Sequence, residues 1–343
     1  HGLARRGSNY IGFTSSFCLY RFNCISIQTM DQFFLKFSIP PSTVSFQHGD
    51  QVILTGSCFS DEISTKLRNA GHSIYSNPHG TIFHPSMLAF NLMDCLNEQP
   101  DERFFERDGR FYTWNASTLI SAPSAEELQN KLLAVKAELK QRLINAKLLI
   151  VTFGTAWGYE LNETNEIVAN CHKMPAQLFT KFLSSPYELV QDWILAIEQL
   201  RSINPDLHIV FTVSPVRHSK DGLVENNLSK ARLLEAVHQL VLEENTSYFP
   251  SYELVIDVLR DYRFFKEDRV HPTGEAIDFV WKQFETTYCQ PATIELNRSV
   301  EKVNKLAQHR SNQQEEAHQA SILSKKAELS EKNPEIYWEH SMG

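Results

Sequence analysis

Several features that would place this chain quickly are missing from it. No stretch of 18 or more apolar residues occurs, so no segment reads as a membrane-spanning helix. The six cysteines (Cys18, Cys24, Cys58, Cys95, Cys171, Cys289) are scattered and form no Cys-x-x-Cys pair. That spacing suggests neither a zinc ribbon nor a disulfide framework, and a reducing, cytoplasmic setting is the simpler expectation. There is no glycine loop of the phosphate-cradling kind, so no nucleotide or other cofactor is expected. Basic runs are absent as well. Residues 1 to 29 hold Arg5, Arg6 and Arg21 and no acid, so the formal charge of −8 leaves −11 on residues 30 to 343. An acidic body of this kind argues against nucleic acid or an anionic membrane as the main partner.

What is present suits a substantial α/β core. At 343 residues with 42% hydrophobic content, the chain can form one large domain with appendages, or two small ones. Arg5 and Arg6 followed by residues 11 to 20 resemble a secretion signal, but Thr14, Ser15 and Ser16 interrupt the apolar run. Met30 opens a segment that reads as a natural start, so residues 1 to 29 are set aside as an extension outside the fold. Residues 30 to 295 are expected to form the folded domain. Residues 296 to 343, rich in Gln, Glu, Lys and Ser, read as a polar helical or partly disordered tail.

The stretch 51 to 67 organises the rest. Val52, Ile53 and Leu54 make the short apolar run of a buried parallel strand. Gly56 permits a sharp turn, and Phe59, Ile63 and Leu67 then recur at helical spacing, with Asp61 and Glu62 in the first turn. Ser57 therefore sits at a strand-to-helix elbow, where its hydroxyl can project from the sheet edge and backbone N–H groups point at a developing anion. The same turn also serves as an ordinary helix cap.

Further along, residues 33 to 39 lead to Pro40 and Pro41 and are at best an edge strand. Residues 72 to 76 predict a second strand, and Pro85 a helix through Leu88, Leu92 and Leu96. Asp108-Gly109 between aromatic flanks predicts a hairpin. Ser124 to Glu127 reads as a capping box for a helix with Leu128, Leu132, Val135 and Leu139 on one face. Residues 148 to 153 predict another strand, 158 to 175 an irregular polar segment, and Ser185 to Glu188 a further cap. A strand at 209 to 213 follows, then a helix from about Asn226 with Leu228, Ala231, Leu234 and Val241 as its stripe. Residues 254 to 258 suggest a last short strand, and Gly274 to Tyr288 a helix buried through Ile277, Val280, Trp281 and Phe284. Strands separated by helices predict a parallel sheet covered on both faces, with the site beyond the carboxyl ends of its strands. Asn77 to Gly80, Gly154 to Trp157 and Pro215 to His218 all fall at such ends.

A serine needs a base, and the base works best with a carboxylate to fix its tautomer. Asp268 and His271, three apart on a loop stiffened by Pro272, supply both. Gly-Ser near one end and Asp-x-x-His near the other resemble the SGNH/GDSL hydrolase pattern. Gly56-Ser57-Cys58-Phe59-Ser60 is similar to the signature of one branch, the GSCFA-domain proteins. The likeness continues in residues 77 to 82, 153 to 157, 170 to 173, 214 to 218 and 248 to 253, and ends at His271-Pro272. The resemblance implies a three-layer flavodoxin-like fold, with Ser57 as nucleophile, His271 as base and Asp268 orienting it. It also implies an oxyanion hole from the Ser57 and Gly80 N–H groups.

The motif Gly154-Thr155-Ala156-Trp157 departs from the wider pattern, which carries an asparagine there; Thr155, Asn170 or Asn77 could substitute. Cys58 is an alternative nucleophile at the helix start. His172, His218 and His271 with Cys171 fit no known metal-ligand spacing, so no metal is expected. Asn77, Gly154, Trp157, His172, Lys173, Arg217 and His218 are candidates for the substrate pocket, the two cations suiting a polar or anionic group. Trp157 and Tyr159 suit either stacking on a sugar or covering the sheet edge. The expectation is a serine hydrolase acting on an ester, an O-acyl group on a carbohydrate or similar polar carrier. The alternative is a non-catalytic carbohydrate-binding module on the same scaffold.

Overall fold

The computed structural model describes residues 35–97, 99–100, 103–308 and 315–338. The expected extension, residues 1 to 29, lies outside the described residues, as do Phe33 and Phe34; residues 35 to 39 carry no strand pairing. Every helix and strand among the described residues belongs to one compact unit, Ser38–Gly343.

Strand β1 (Gln51–Gly56) runs into helix α1 (Cys58–Asn69), followed by β2 (Ile74–Ser76) and α2 (Pro85–Asp94). Then come β3 (Phe104–Arg107), β4 (Arg110–Thr113) and β5 (Ser121–Ala122), helix α3 (Ala125–Asn145) and the long strand β6 (Ala146–Phe153). Strands β7 (Trp157–Leu161), β8 (Glu166–Ile167) and β9 (Phe179–Leu183) precede α4 (Pro186–Ile203). The alternation resumes with β10 (His208–Val213), α5 (Leu223–Leu240) and β11 (Thr246–Tyr248). A short α6 (Ser251–Glu253) widens into a helical turn over Leu254–Leu259. Helices α7 (Gly274–Tyr288), α8 (Pro291–Gln308) and α9 (Glu315–Lys332) complete the chain.

The central sheet is parallel, in the order β11-β10-β6-β1-β2. Numbered within the sheet this is 2-1-3-4-5, the flavodoxin-like order, and its direction of winding reverses between β1 and β6. Alternation along the strands sends Ile53, Leu149, Val151, Phe153, Ile209, Phe211 and Val213 to one face. There they pack with Leu92 of α2, Leu143 of α3, Trp193 of α4 and Leu233 and Val237 of α5. The opposite residues, Val52, Leu54, Leu148, Ile150 and Val210, are equally buried; Phe59, Ile63 and Leu67 of α1 and Ile277, Val280 and Phe284 of α7 bury their own stripes on that side. The result is three layers, helix–sheet–helix.

Local chemistry explains the element ends. Asp108 (φ 50°) and Gly109 (φ 72°) form the tight turn between β3 and β4. Ser185 accepts from the Glu188 N–H while the Glu188 carboxylate accepts from the Ser185 N–H, a complete capping box for α4.

Four expectations change. Residues 158 to 175 are only partly irregular: β7 pairs antiparallel with both β8 and β9, residues 168 to 175 carry neither helix nor strand, and Gly158 lets the Phe182 ring lie where a Cβ would be 2.4 Å from it. Residues 254 to 258 are helical rather than a strand; the run Leu-Val-Ile-Asp-Val fits either period, and Leu254, Val255 and Leu259 are the residues it buries. Helix α5 buries Asn226, Ser229, Lys230, Leu233, Ala236, Val237 and Leu240, whereas Leu228 is 47% exposed. Finally, packing does not break at residue 295. Thr293, Asn297, Val300 and Val303 of α8 are buried, and Tyr337 donates its N–H to the Gly71 carbonyl.

Asn297 also accepts from His72 Nε2 at 2.9 Å and donates to Glu285 at 2.8 Å. Burial holds His72 down to about 3, and holds His84, His172 and His208 down to about 4. Each imidazole stays neutral in the fold but takes up a proton below about pH 6.5 once unfolded. Folding stability is therefore full above that pH and falls as the pH drops towards 4, by up to about 1.4 kcal/mol per pH unit for each group. Urea midpoints measured from pH 7 to pH 4 are expected to decline steeply; a flat profile above pH 4 would contradict the buried neutral histidines.

Candidate active site

The elbow after β1 is built by close contact. Gly56 has φ 136°, and a Cβ on it would lie 2.2 Å from the Thr152 carbonyl oxygen of β6. Only glycine fits. Its N–H donates to Asn77 Oδ1 at 2.8 Å, and the Asn77 amide donates in turn to Asp61 Oδ1 at 2.7 Å. Thr81 donates to the other Asp61 oxygen at 3.1 Å, so the first turn of α1, the end of β2 and the elbow form one polar unit. Ser60 adds a bond from its hydroxyl to Thr152 Oγ1 at 2.7 Å.

Ser57 occupies the N-cap position of α1, yet its side chain makes no capping bond. The N-cap hydroxyls of α3, α4 and α7 (Ser124, Ser185, Thr273) each accept from the backbone N–H three residues on. Ser57 is 1% exposed, and its Oγ has no hydrogen-bond partner among the described residues. A buried hydroxyl left without a partner costs about 1–3 kcal/mol, so the arrangement calls for a reason other than stability.

Asp268 and His271 come together on the loop before α7. His271 Nδ1 lies 2.6 Å from Asp268 Oδ2, which places the proton on Nδ1 and leaves Nε2 as the acceptor. Asp268 Oδ1 accepts from the N–H groups of His271 (3.0 Å) and Val270 (2.9 Å). These two N–H groups, more than the imidazole, hold the carboxyl well below its ordinary range. The side chains are 42% and 46% exposed. The loop is closed by a bridge between Phe265 and Pro272, and Lys266 reaches Glu62 of α1 at 3.5 Å. Arg217 lies over the Phe265 ring at 5.7 Å.

Of the expected oxyanion donors, the two backbone N–H groups already have acceptors. The Ser57 N–H donates to the Thr152 carbonyl at 3.1 Å and the Gly80 N–H to the Asn77 carbonyl at 2.8 Å. Thr155 Oγ1 accepts from the Trp157 N–H and shares a bond with Ser229. Asn170 Oδ1 accepts from the His172 N–H and the Thr118 hydroxyl. Several pocket candidates are likewise structural. Asn77 is engaged as described, and the Gly154 N–H donates to Phe83 O at 2.9 Å. Trp157 donates to Glu225 O, and its ring faces Lys181 Nζ at 4.5 Å. His172 is fully buried among Phe105, Tyr112 and Trp114 and bonds Thr113 O, so it belongs to the small sheets, with Lys173 exposed beside it.

His218 packs edge-on against Phe83, and burial, then the Lys230 charge, lowers it to about 4. Among the described residues the histidines and Cys171 do not assemble into a metal-binding cluster. The Cys58 thiol is pushed up by burial and by Asp61 and Glu62, which disfavours a thiolate there.

Sequence reading passed over Ser229 and Lys230. Ser229 accepts from the Ala156 N–H at 2.8 Å, and Lys230 donates to Gly154 O at 2.6 Å and Ser214 O at 2.7 Å. Both stand on the face of α5 that the structure buries.

The fold is thus of the flavodoxin-like class, with Ser57 at its topological switch point. The description of the GSCFA family matches residues 51–284, and the chain belongs to that family. No curated protein matches it in sequence. Solved structures similar to it include a carbohydrate esterase family 3 protein from Talaromyces cellulolyticus, with 9% identity and a TM-score of 0.34, covering 73% of this chain and 98% of that one. The lipase Lip_vut3 from a goat rumen metagenome shows 10% identity and a TM-score of 0.38, covering 70% and 99%. An acetyl xylan esterase from Butyrivibrio proteoclasticus shows 11% identity and a TM-score of 0.38, covering 73% and 65%. Among the described residues, no helix is long and apolar enough to cross a membrane.

If Ser57 is held for a purpose other than capping, its removal should cost little. Ser57→Ala is expected to keep unfolding stability within about 0.5 kcal/mol of the parent or to raise it. Ser185→Ala should lose about 1 kcal/mol. Paired urea titrations of the two variants make the comparison, and an equal loss in both would mean that Ser57 caps α1 after all.

Proposed function

We propose that this GSCFA protein is a serine hydrolase acting on ester bonds, and that its substrate is an O-acyl, most simply O-acetyl, group on a carbohydrate or similar polar carrier. The observation that carries the reading is the Ser57 hydroxyl, buried and unpartnered at the one N-cap among those of α1, α3, α4 and α7 where a hydroxyl makes no capping bond. In this reading Ser57 Oγ attacks the ester carbonyl while His271 Nε2 takes its proton, and Asp268 stabilises the imidazolium. Collapse of the tetrahedral intermediate passes that proton to the departing alcohol and leaves an acyl-Ser57. A water, deprotonated by the same imidazole, then releases the carboxylate and restores the serine. The open N-terminus of α1 faces the developing negative charge.

A second reading, a polar-ligand binding module, is favoured by one observation: the Ser57 and Gly80 N–H groups already have acceptors inside the protein. Labelling with a fluorophosphonate probe separates the two. The hydrolase reading expects one adduct, on Ser57, and a loss of labelling rate of at least about a thousandfold in His271→Ala. An adduct on Cys58 would relocate the nucleophile. Folded protein that takes up no label would leave the binding module as the better account.

A further inference from the structure

Lys230 stands out among the groups that the proposed reaction does not use. It lies on the core-facing side of α5 and is 1% exposed. Its Nζ donates to the carbonyls of Gly154 and Ser214, the residues that immediately follow β6 and β10. No carboxylate is paired with it among the described residues, whereas the other buried lysine, Lys136, has Asp94 at 2.7 Å. A cation this deeply buried is retained only at a cost of several kcal/mol when no anion compensates it.

Its position relative to the elbow is set by the backbone. The Ser57 N–H is bonded to Thr152 O, two residues before the carbonyl that Lys230 holds. Burial is the main influence on the ammonium; negative charge at Cys58, next to Ser57, would favour it, and Arg217 opposes it. Three features thus meet at one sheet edge: the N-terminus of a twelve-residue helix, a buried hydroxyl with no partner, and a buried cation with no counter-anion. Each is a group that a bound anion would satisfy.

We propose that the Lys230 ammonium is the cationic wall of an anion-binding site at the carboxyl ends of β1 and β6, holding the oxyanion formed at Ser57 and the carboxylate released from it. The catalytic part of this statement rests on the hydrolase reading, while the anion site stands apart from it. Lys230 takes the part that the engaged Ser57 and Gly80 N–H groups cannot play without breaking their own bonds.

Acetate is the probe, since it carries one charge from pH 6 to pH 9 and imitates a released carboxylate. Calorimetric titration at pH 6.5 is expected to give an acetate affinity that falls at least tenfold in Lys230→Met and stays within about threefold of the parent in Lys230→Arg. Equal affinity in the parent and Lys230→Met, or no binding by the parent, overturns the proposal. Circular dichroism and thermal melting show whether Lys230→Met folds. If it does not, the pH dependence decides. The parent should lose acetate affinity between pH 6 and pH 9 as the ammonium, lowered by burial to about 7, gives up its proton. Lys230→Arg should hold its affinity throughout. His218 is already neutral and the Cys58 thiol is held protonated, while Arg217 and His271 are common to both proteins. Parallel profiles would overturn the proposal. Acetate binding that depends on Lys230, in a protein that no fluorophosphonate labels, would retain the anion site and reject the hydrolase.

Discussion

The approach of Gly56 to β6 is the constraint on which the rest of the site depends. With the Thr152 carbonyl where a Cβ would need to be, the chain can leave β1 only by a left-handed turn. That turn aims the Gly56 N–H at Asn77 and starts α1 directly over the end of β6. Ser57 is consequently placed by backbone geometry rather than by its own side-chain bonds, which is what allows its hydroxyl to stay uncommitted. A methyl group at residue 56 would push β1 and β6 apart at the point where the winding direction of the sheet reverses.

Polar groups around this contact are consumed in pairs, and the pairing makes the elbow rigid. Asp61 takes Asn77 and Thr81, Thr152 takes Ser60, and Ser229 takes both Thr155 and the Ala156 N–H. Such satisfied networks fix one arrangement, because breaking any member strands a buried group. Against that background the few unsatisfied or uncompensated groups carry information. Ser57 Oγ and the Lys230 charge are two of them, and both belong to the same sheet edge.

Much of the architecture was legible in the amino-acid order because the relevant signals are local. The apolar run before Gly56, the capping box at Ser185 and the Asp108-Gly109 turn each decide a structure within a few residues. Asp268 and His271 were legible as a pair for the same reason, being three residues apart on one loop. What escaped was decided by distant partners. The antiparallel strands of residues 157 to 183 depend on Phe182 packing over Gly158, which the composition of the segment does not announce. The stripe of α5 was misplaced because Ser229 and Lys230 are polar and resemble a solvated face; their partners are carbonyl and N–H groups some 70 residues away. The fate of the oxyanion donors was equally hidden, since Ser57 and Gly80 lose their N–H groups to carbonyls that only the tertiary fold brings near.

The two halves of the proposed machinery are held in different ways, and the difference bears on how the site would work. Ser57 is buried and fixed from below by the sheet, whereas His271 is 42% exposed on a loop braced by Phe265, Pro272 and the Lys266–Glu62 contact. Because Asp268 is bound to the backbone of its own loop, the imidazole keeps its tautomer whether or not Ser57 is engaged. The proposed base is therefore preset chemically but open to solvent, and the proposed nucleophile is preset spatially but unbonded. In the proposed reaction, a substrate bound at Ser57 would exclude water from the imidazole and strengthen every charge interaction there, the Lys230 ammonium included. On this view the resting protein keeps its serine inactive by leaving it without a partner, and the ester itself completes the arrangement.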